Sequence, residues 1–350
     1  MIGNRILSGM QPSGQLHLGN YHGALKNWIA MQDNFDCFFF IADLHSLTTL
    51  YENPQLLKKY SFEVAVDWLS SGLDPDKCTL FVQSEIHEHA ELHLILSMMV
   101  PVPWLERNPT YKEKQDEVKN VDMSSYGFLG YPVLQTADIV LYKANAVPVG
   151  IDQVPHLELS REIVRRFNKL YKKKVFIEPE AKISDVPKLN GIDGRKMSKS
   201  YNNAIFLSDS EKEITKKIKA MLTDPARGRR TDPGDPVACN LFPMHKIYSP
   251  VEMQEEIISA CRKAEIGCGD CKLKLADNLL KSMYPKMEKR KEIAAKPKEV
   301  YEILRAGTEK ARRVAKATLQ EAKTAMKIIL FFKKLWTIKR RLIYHRQTFL

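Results

Sequence analysis

The sequence predicts an α/β fold: a parallel sheet with helices on both faces, followed by a mainly helical region. Three observations predict it. Through the first half, short apolar runs of strand type alternate with stretches whose apolar residues recur at helical spacing. Such alternation gives parallel strands, because each helix carries the chain back to begin the next strand. From Ser208 onward only helical periodicity remains. Finally, 350 residues, 44% of them hydrophobic, can bury a large core, so one large domain with a smaller one is expected.

An apolar run ending at Ser8-Gly9-Met10 reads as the first strand. The loop Gln11-Pro12-Ser13-Gly14 follows, and residues 18–31 have helical spacing. Residues 37–42 and 79–83 are the next strands, with a helix at 55–70 between them. Residues 131–142 form an apolar helix. Val147-Pro148-Val149 ends another strand, and a helix at 153–167 follows. Ligands in such folds sit at the carboxyl ends of strands, where residues 11–20 and 150–153 would lie. Beyond them, helices are expected at 211–222, 250–264, 273–283 and 298–327, with loops between. The expected division is a sheet domain at 1–199, a helical region at 200–305, a helix at 306–327 packing back on the first domain, and a tail at 328–350.

The tail is basic and apolar together, as in Phe331-Phe332-Lys333-Lys334-Leu335-Trp336 and Lys339-Arg340-Arg341. A membrane-surface or RNA-binding helix, a helix lying on the protein's own surface, and a poorly ordered end all fit that pattern. The formal charge is +12 and the isoelectric point about 9.2, which suits an anionic partner such as nucleic acid as well as a solvated basic surface. No N-terminal stretch has the layout of a signal peptide. No stretch has the roughly 18 apolar residues of a membrane span. A cytoplasmic protein is expected, whose six cysteines are reduced thiols or metal ligands rather than disulfides.

Two short runs carry the chemistry. His17-Leu18-Gly19-Asn20 opens a helix after a strand and a glycine-bearing loop. Backbone N–H groups at a helix start favour anions, so this is a phosphate site. Gly19 is expected to leave room for a flat base or sugar on the backbone. Lys196-Met197-Ser198-Lys199-Ser200 offers two lysines on a loop, suited to a polyphosphate whose charge grows during reaction.

Asp138 lies in the apolar helix Tyr131-Pro132-Val133-Leu134-Gln135-Thr136-Ala137-Asp138-Ile139-Val140-Leu141-Tyr142. Tyr131, Gln135 and Asp138 share one face. Burying the carboxylate unpaired costs several kcal/mol, so it needs a donor. That donor is either a neighbouring backbone or arginine group, or a substrate N–H or O–H. His45, just after a strand end, either faces the site or is satisfied in the core.

Cys37 and Cys78 lie in or beside strands and read as core residues. Cys239, Cys261, Cys268 and Cys271 are spaced C-x21-C-x6-C-x2-C. The last pair is expected to form a tight chelating turn, with Cys261 two helical turns upstream. Four thiolates suit zinc or a [4Fe–4S] cluster.

The two charged runs, in this order, resemble the signature motifs of class I aminoacyl-tRNA synthetases. Residues 8–25, 131–142, 147–168 and 196–200 together resemble tryptophanyl-tRNA synthetases of the bacterial type, over about residues 3–327. The resemblance implies a Rossmann-type catalytic domain and a helical anticodon-binding domain. It implies that tryptophan is activated with ATP and Mg²⁺ and transferred to tRNA(Trp), and that the chain forms a homodimer. By the same resemblance Gln11, Pro12, Ser13, Gly19 and Asn20 contact ATP. Gly150, Ile151 and Asp152 receive the ribose, and Leu189 and Met197 flank the adenine. Lys196, Lys199 and Lys114 surround the phosphates beside Ser198, Ser200 and His17. Asp138 takes the indole N–H, and Tyr131 and Gln153 hold the α-ammonium. The family more often has Glu where Ile151 stands, so backbone contact is expected there. Many class I enzymes have His where Asn20 stands, but both donate N–H.

A subset of the family carries a [4Fe–4S] cluster on a similar cysteine pattern, usually with one more residue in the long gap. Thr223-Asp224-Pro225-Ala226-Arg227-Gly228-Arg229-Arg230 resembles the same subset. The alternatives are a tyrosyl-tRNA synthetase, since one carboxylate accepts a phenol or an indole donor, a non-catalytic RNA-binding paralogue, and a nucleotidyltransferase acting on a small metabolite. Retention of Asp138, Gln153 and both lysines weighs against the paralogue. The basic charge and helical second half weigh against the nucleotidyltransferase.

Overall fold

The computed structural model describes residues 4–108, 125–183 and 189–328, with the Asp152 side chain excepted. The chain divides into two compact units. One comprises Met1–Glu85, Ala146–Val154 and Ala181–Glu309, the other Ile86–Asn145, Pro155–Glu180 and Lys310–Leu350.

The first unit is built on a sheet whose strands are β1 (Arg5–Met10), β2 (Asp36–Ile41), β3 (Cys78–Val82), β4 (Ala146–Val149) and β5 (Glu180–Ile183). Their order is β3-β2-β1-β4-β5. β1 runs parallel to β2 and β4, and β2 parallel to β3. β2 and β3 are apolar along nearly their whole length because both faces are covered. The chain leaves β1 toward β2 and later returns to its other side as β4. That reversal opens a crevice at the carboxyl ends of β1 and β4.

The helix expected at 18–31 is interrupted. A turn α1 (Leu18–Asn20) passes into a wider π turn at Tyr21–Leu25 and then α2 (Lys26–Met31). The widened turn carries His22 onto the Tyr248 hydroxyl, 2.7 Å away. Two further helices, α3 (Asp43–Leu50) and α4 (Gln55–Ser71), complete the crossover to β3. Trp28 stacks on Phe39 at 4.5 Å and meets the edge of Trp68 at 5.5 Å.

The second unit contains α5 (Glu88–Ser97), α6 (Val102–Glu106), α7 (Tyr126–Leu141) and nearly all of α8 (Val154–Leu170). α5 was not legible as a helix because it buries Glu88 and His89 beside Leu92 and Leu96. Its inward face is polar as well as apolar, so no clean stripe shows.

Four more helices follow, α9 (Glu211–Ala220), α10 (Phe242–Tyr248), α11 (Val251–Arg262) and α12 (Cys268–Ala294), and then α13 (Pro297–Ala325). Ile214, Ile218, Leu275, Leu279 and Met283 share one core with the sheet residues Ile6, Phe39 and Ile41. α12 is much longer than expected. It runs past 283 and through Pro285, and beyond it Met287 is buried and Arg290 is held by an ion pair. In α13, Val300 and Leu304 are buried and Thr308 Oγ1 accepts the Val82 N–H at 3.4 Å. No helix among the described residues is long and apolar enough to cross a membrane.

Candidate active site

After β1 the chain turns through Gln11 and Ser13, both exposed, with Pro12 and Gly14 buried. The Ser13 N–H bonds the Gln11 carbonyl at 2.9 Å. Gly14 has φ +129°, a conformation that L side chains rarely adopt. The next residues pair with the segment that follows the lysine motif. Leu207 N–H bonds Leu16 O at 2.8 Å, and Leu18 N–H bonds Ile205 O at 3.0 Å. Two motifs far apart in sequence are stitched together by backbone.

His17 caps the start of α1. Its Nδ1 accepts the Asn20 N–H at 3.2 Å, and Asn20 Oδ1 accepts the His17 N–H at 3.1 Å. Burial, with the charge of Lys199, lowers the imidazole pKa to about 4. The ring is therefore neutral at pH 7. With Nδ1 accepting, its proton sits on Nε2, where it is a donor for an anion. A Cβ at Gly19 would lie 2.9 Å from the His17 ring, so the glycine makes room for His17 itself.

Lys199 opens a short 3₁₀ turn, Lys199–Tyr201, capped by Ser198 Oγ accepting the Ser200 N–H at 3.3 Å. Its ammonium donates to Gly14 O at 3.1 Å and Ser13 Oγ at 3.3 Å. Burial lowers its pKa to about 8, against the opposing pull of Asp67. Lys196 and Ser200 are exposed. Met197 and Leu189 are both buried and joined by a 3.1 Å bond from Met197 N–H to Leu189 O. The loop's organiser is a residue that sequence reasoning missed. Asn203, 1% exposed, donates to Lys196 O at 3.2 Å and Asp193 Oδ1 at 2.7 Å and accepts the Ser198 N–H at 2.8 Å. An asparagine three residues past a lysine loop and leading into Ala204-Ile205 was the only signal.

β4 delivers Gly150 beside the end of β1. Counting forward from the Ile6–Ala146 pair brings Met10 and Gly150 level. Residues Ile151–Gln153 form a 3₁₀ turn, with the Gln153 N–H on Gly150 O at 3.0 Å. The Ile151 side chain is 77% exposed, so its backbone, not its side chain, lines the strand end. Lys114 and the Asp152 side chain lie outside the described residues. His45 is buried in the first turn of α3, directly after β2.

In the second unit, Asp138 is 1% exposed and its donor is His89, with Nδ1 2.6 Å from Oδ1. His89 Nε2 lies 2.7 Å from the Tyr142 hydroxyl. The sequence reading named the need for a donor but neither histidine. His156 is the other, its Nδ1 2.7 Å from Asn108 Nδ2 and its Nε2 3.0 Å from the Tyr131 hydroxyl. Burial raises the Tyr131 phenol, so it stays protonated at neutral pH. Gln135 is half-buried on the same helix. The cluster is a set of fixed hydrogen-bonding groups suited to reading a small polar donor.

The four cysteines lie in the first unit. The expected free turn at Cys268–Cys271 is the first turn of α12, begun by Gly267 in an extended conformation, with the Cys271 N–H on Gly267 O at 3.0 Å. Helical spacing still puts both thiols on one face. Cys261 ends α11 rather than standing upstream on the same helix, because the chain turns at 263–267. Burial lifts the Cys271 thiol to about 12, and the charges of Cys239, Cys261 and Cys268 add to that lift. Cys271 Sγ is 3.3 Å from His245 Nε2, and Arg227 donates to Cys261 Sγ at 3.7 Å. Among the described residues, no three His, Cys, Asp or Glu side chains stand arranged around a metal position. The donor chemistry fits a thiophilic ion; the present side-chain positions do not close on one.

A neutral N–H donor, a helix start and a poised ammonium at a strand crevice suit the charge of a polyphosphate. The comparisons agree with that chemistry. The family model described as tRNA synthetases class I (W and Y) matches residues 3–283. A tryptophan–tRNA ligase from Thermotoga maritima is 50% identical, covering 93% of this chain and 99% of the relative. One from Chlamydia caviae is 43% identical over 93% and 96% of the two chains. The crystal structure of a Campylobacter jejuni tryptophanyl-tRNA synthetase, complexed with ADP and tryptophan, superposes with a TM-score of 0.84 at 37% identity, covering 92% of this chain and 99% of that one. A tyrosyl-tRNA synthetase from Archaeoglobus fulgidus shares the fold at 19% identity and a TM-score of 0.60. The chain belongs to the tryptophan–tRNA ligases, within the class I synthetases for tryptophan and tyrosine.

Proposed function

We propose that this protein joins L-tryptophan to tRNA(Trp) in two steps, using ATP and Mg²⁺. The carrying observation is the Lys199 ammonium lying on the loop that leads into His17 and Asn20. The tryptophan carboxylate attacks the α-phosphorus of ATP in line, and pyrophosphate leaves. Lys199, Lys196 and Lys114 supply charge at the leaving phosphates, beside Ser198 and Ser200. His17 Nε2–H and Asn20 donate to phosphate oxygens. Mg²⁺, when bound with ATP, would supply further positive charge to the departing pyrophosphate. Gln11, Pro12, Ser13 and Gly19 border the nucleotide, the ribose rests on Gly150, Ile151 and Asp152, and Leu189 and Met197 flank the adenine. The acyl group then passes to the 2′-hydroxyl of the terminal ribose.

Asp138 accepts the indole N–H, while Tyr131 and Gln153 hold the α-ammonium, with Gln135 and His45 at the margins. A polar anchor of this kind rejects an amino acid lacking the donor by about 10⁴–10⁵. Charging of tRNA(Trp) with labelled tryptophan or tyrosine tests this reading. Tryptophan alone should be charged; equal charging with tyrosine would move the assignment to the tyrosine branch.

We further propose that Cys239, Cys261, Cys268 and Cys271 hold one [4Fe–4S] cluster, with zinc as the rival ion. The spacing of the four cysteines and the Arg227 guanidinium beside Cys261, whose charge favours a thiolate there, support it. The cluster would staple α11 to α12 in the helical part (200–305) that we propose reads the anticodon. The helix at 306–327 would pack back on the first domain, and of the tail at 328–350, residues 329–350 lie outside the described residues. Family likeness extends the proposal to a homodimer in the cytoplasm. Anaerobic purification followed by iron, zinc and acid-labile sulfide analysis tests the cluster. A colourless protein with one zinc and no sulfide would exclude it.

A further inference from the structure

An ion cluster that the proposed chemistry does not use lies against the first motif. Asp67 stands on α4 and is fully buried. Its Oδ2 accepts the N–H of Leu16, the residue before His17, at 3.3 Å. Its Oδ1 accepts from Arg290 Nε, 2.7 Å away on α12. The same guanidinium also donates to Glu63, one turn earlier on α4. One arginine thus faces two carboxylates. Asp67 also acts electrostatically on Lys199. Pairs this deeply buried contribute little net stability compared with apolar groups of equal volume. An apolar side chain could fill the space of Asp67 but could not hold a backbone N–H. The cluster therefore connects α12 to the loop that faces the phosphates.

We propose that Asp67, braced by Arg290, is a positioning residue for adenylate formation: it holds Leu16, and with it the His17–Asn20 helix start, where their donors meet the phosphates of ATP. The inference rests on the proposed adenylate chemistry. Small displacements of such donors lower rates far more than they lower stability.

Asp67→Asn offers a single acceptor oxygen to two donors, so either Leu16 or Arg290 goes unmet. The double variant Asp67→Asn/Arg290→Met removes the competing donor and frees the amide oxygen for Leu16. In tryptophan-dependent pyrophosphate exchange, Asp67→Asn should raise the KM for ATP about tenfold, with the KM for tryptophan within about twofold of wild type. The double variant should recover to within about threefold. A folded Asp67→Asn with an unchanged KM for ATP, or a loss shared equally by both substrates, would overturn the positioning role. Where Asp67→Asn fails to fold, Arg290→Lys decides. It keeps the charge but loses the fork that grips both carboxylates. A raised KM for ATP in that variant upholds the proposal, and a wild-type value refutes it. Wild-type protein without any exchange would instead overturn the adenylate reading, and the positioning role with it.

Discussion

Lys199→Ala removes the ammonium seated on the Ser13–Gly14 loop, which is proposed to face the phosphates of ATP. The Nζ is 3.1 Å from Gly14 O and 3.3 Å from Ser13 Oγ, both neutral acceptors that a phosphate oxygen would replace. Two unit charges about 4 Å apart interact by about 4 kcal/mol at the effective dielectric of a half-buried site. Exchanging the neutral hydrogen bonds for the phosphate offsets about 1 kcal/mol of that. A net loss of about 3 kcal/mol in the transition state corresponds to about a 150-fold fall in rate. The assay is pyrophosphate exchange with saturating tryptophan, read as kcat, beside tryptophan binding by fluorescence. The pH profile carries a second signature. With its pKa lowered to about 8, Lys199 is cationic at pH 7 and loses its proton as the pH climbs past 8. The kcat/KM for ATP, which reports the free enzyme, should therefore decline above that pH, and Lys199→Arg should flatten the decline. Lys196→Ala should act in the same direction. A rate loss under about threefold, or a fall in tryptophan affinity with the rate held, would refute the reasoning.

Other outcomes follow from the same structure. Asp138→Ala removes the partner of His89 and the proposed indole acceptor together, so the KM for tryptophan should rise by at least about thirtyfold; an unchanged KM would place the indole elsewhere. Acid should destabilise the fold between pH 6.5 and 4, because His17, His22 and His245 have pKa values lowered from 6.5 to about 4, mainly by burial. The unfolded chain takes up those protons first, so each imidazole contributes about 3 kcal/mol that is lost as pH falls through this range. Asp67, raised to about 6 by burial, acts in the opposite sense, favouring the folded chain below that pH, but it is one group against three. Urea melts that are flat from pH 7 to 4 would contradict this. Gly307→Ala would set a Cβ 1.9 Å from the Leu80 carbonyl oxygen, a backbone clash no rotamer relieves. It should destabilise by about 2–3 kcal/mol, read as a lower urea midpoint.

Much of the molecule was legible in advance where one physical cause dominated. β1, β2, β3 and β4 are apolar runs bounded by turn residues, and the expected strands fall within a residue or two of them. The two motifs were legible because helix starts and lysine loops have local signatures. What stayed hidden was made by distant pairing. The sequence around α5 gives no reason to connect His89 with Asp138, forty-nine residues on. Asp67 and Arg290 each look like ordinary helix-surface charges until packing buries them together. At Gly19 the sequence did not show that the His17 ring lies where a Cβ would stand. α12 passes its expected end at 283 because tertiary packing carries it on through Pro285.

The proposed first step is activation of tryptophan with ATP. ATP–pyrophosphate exchange measured separately with each of the twenty amino acids tests it most directly. Exchange should require tryptophan and be negligible with tyrosine, as membership of the tryptophan branch implies, and with phenylalanine, which has no donor for the proposed Asp138 acceptor. Exchange with tyrosine equal to that with tryptophan, or none with any amino acid, would contradict it.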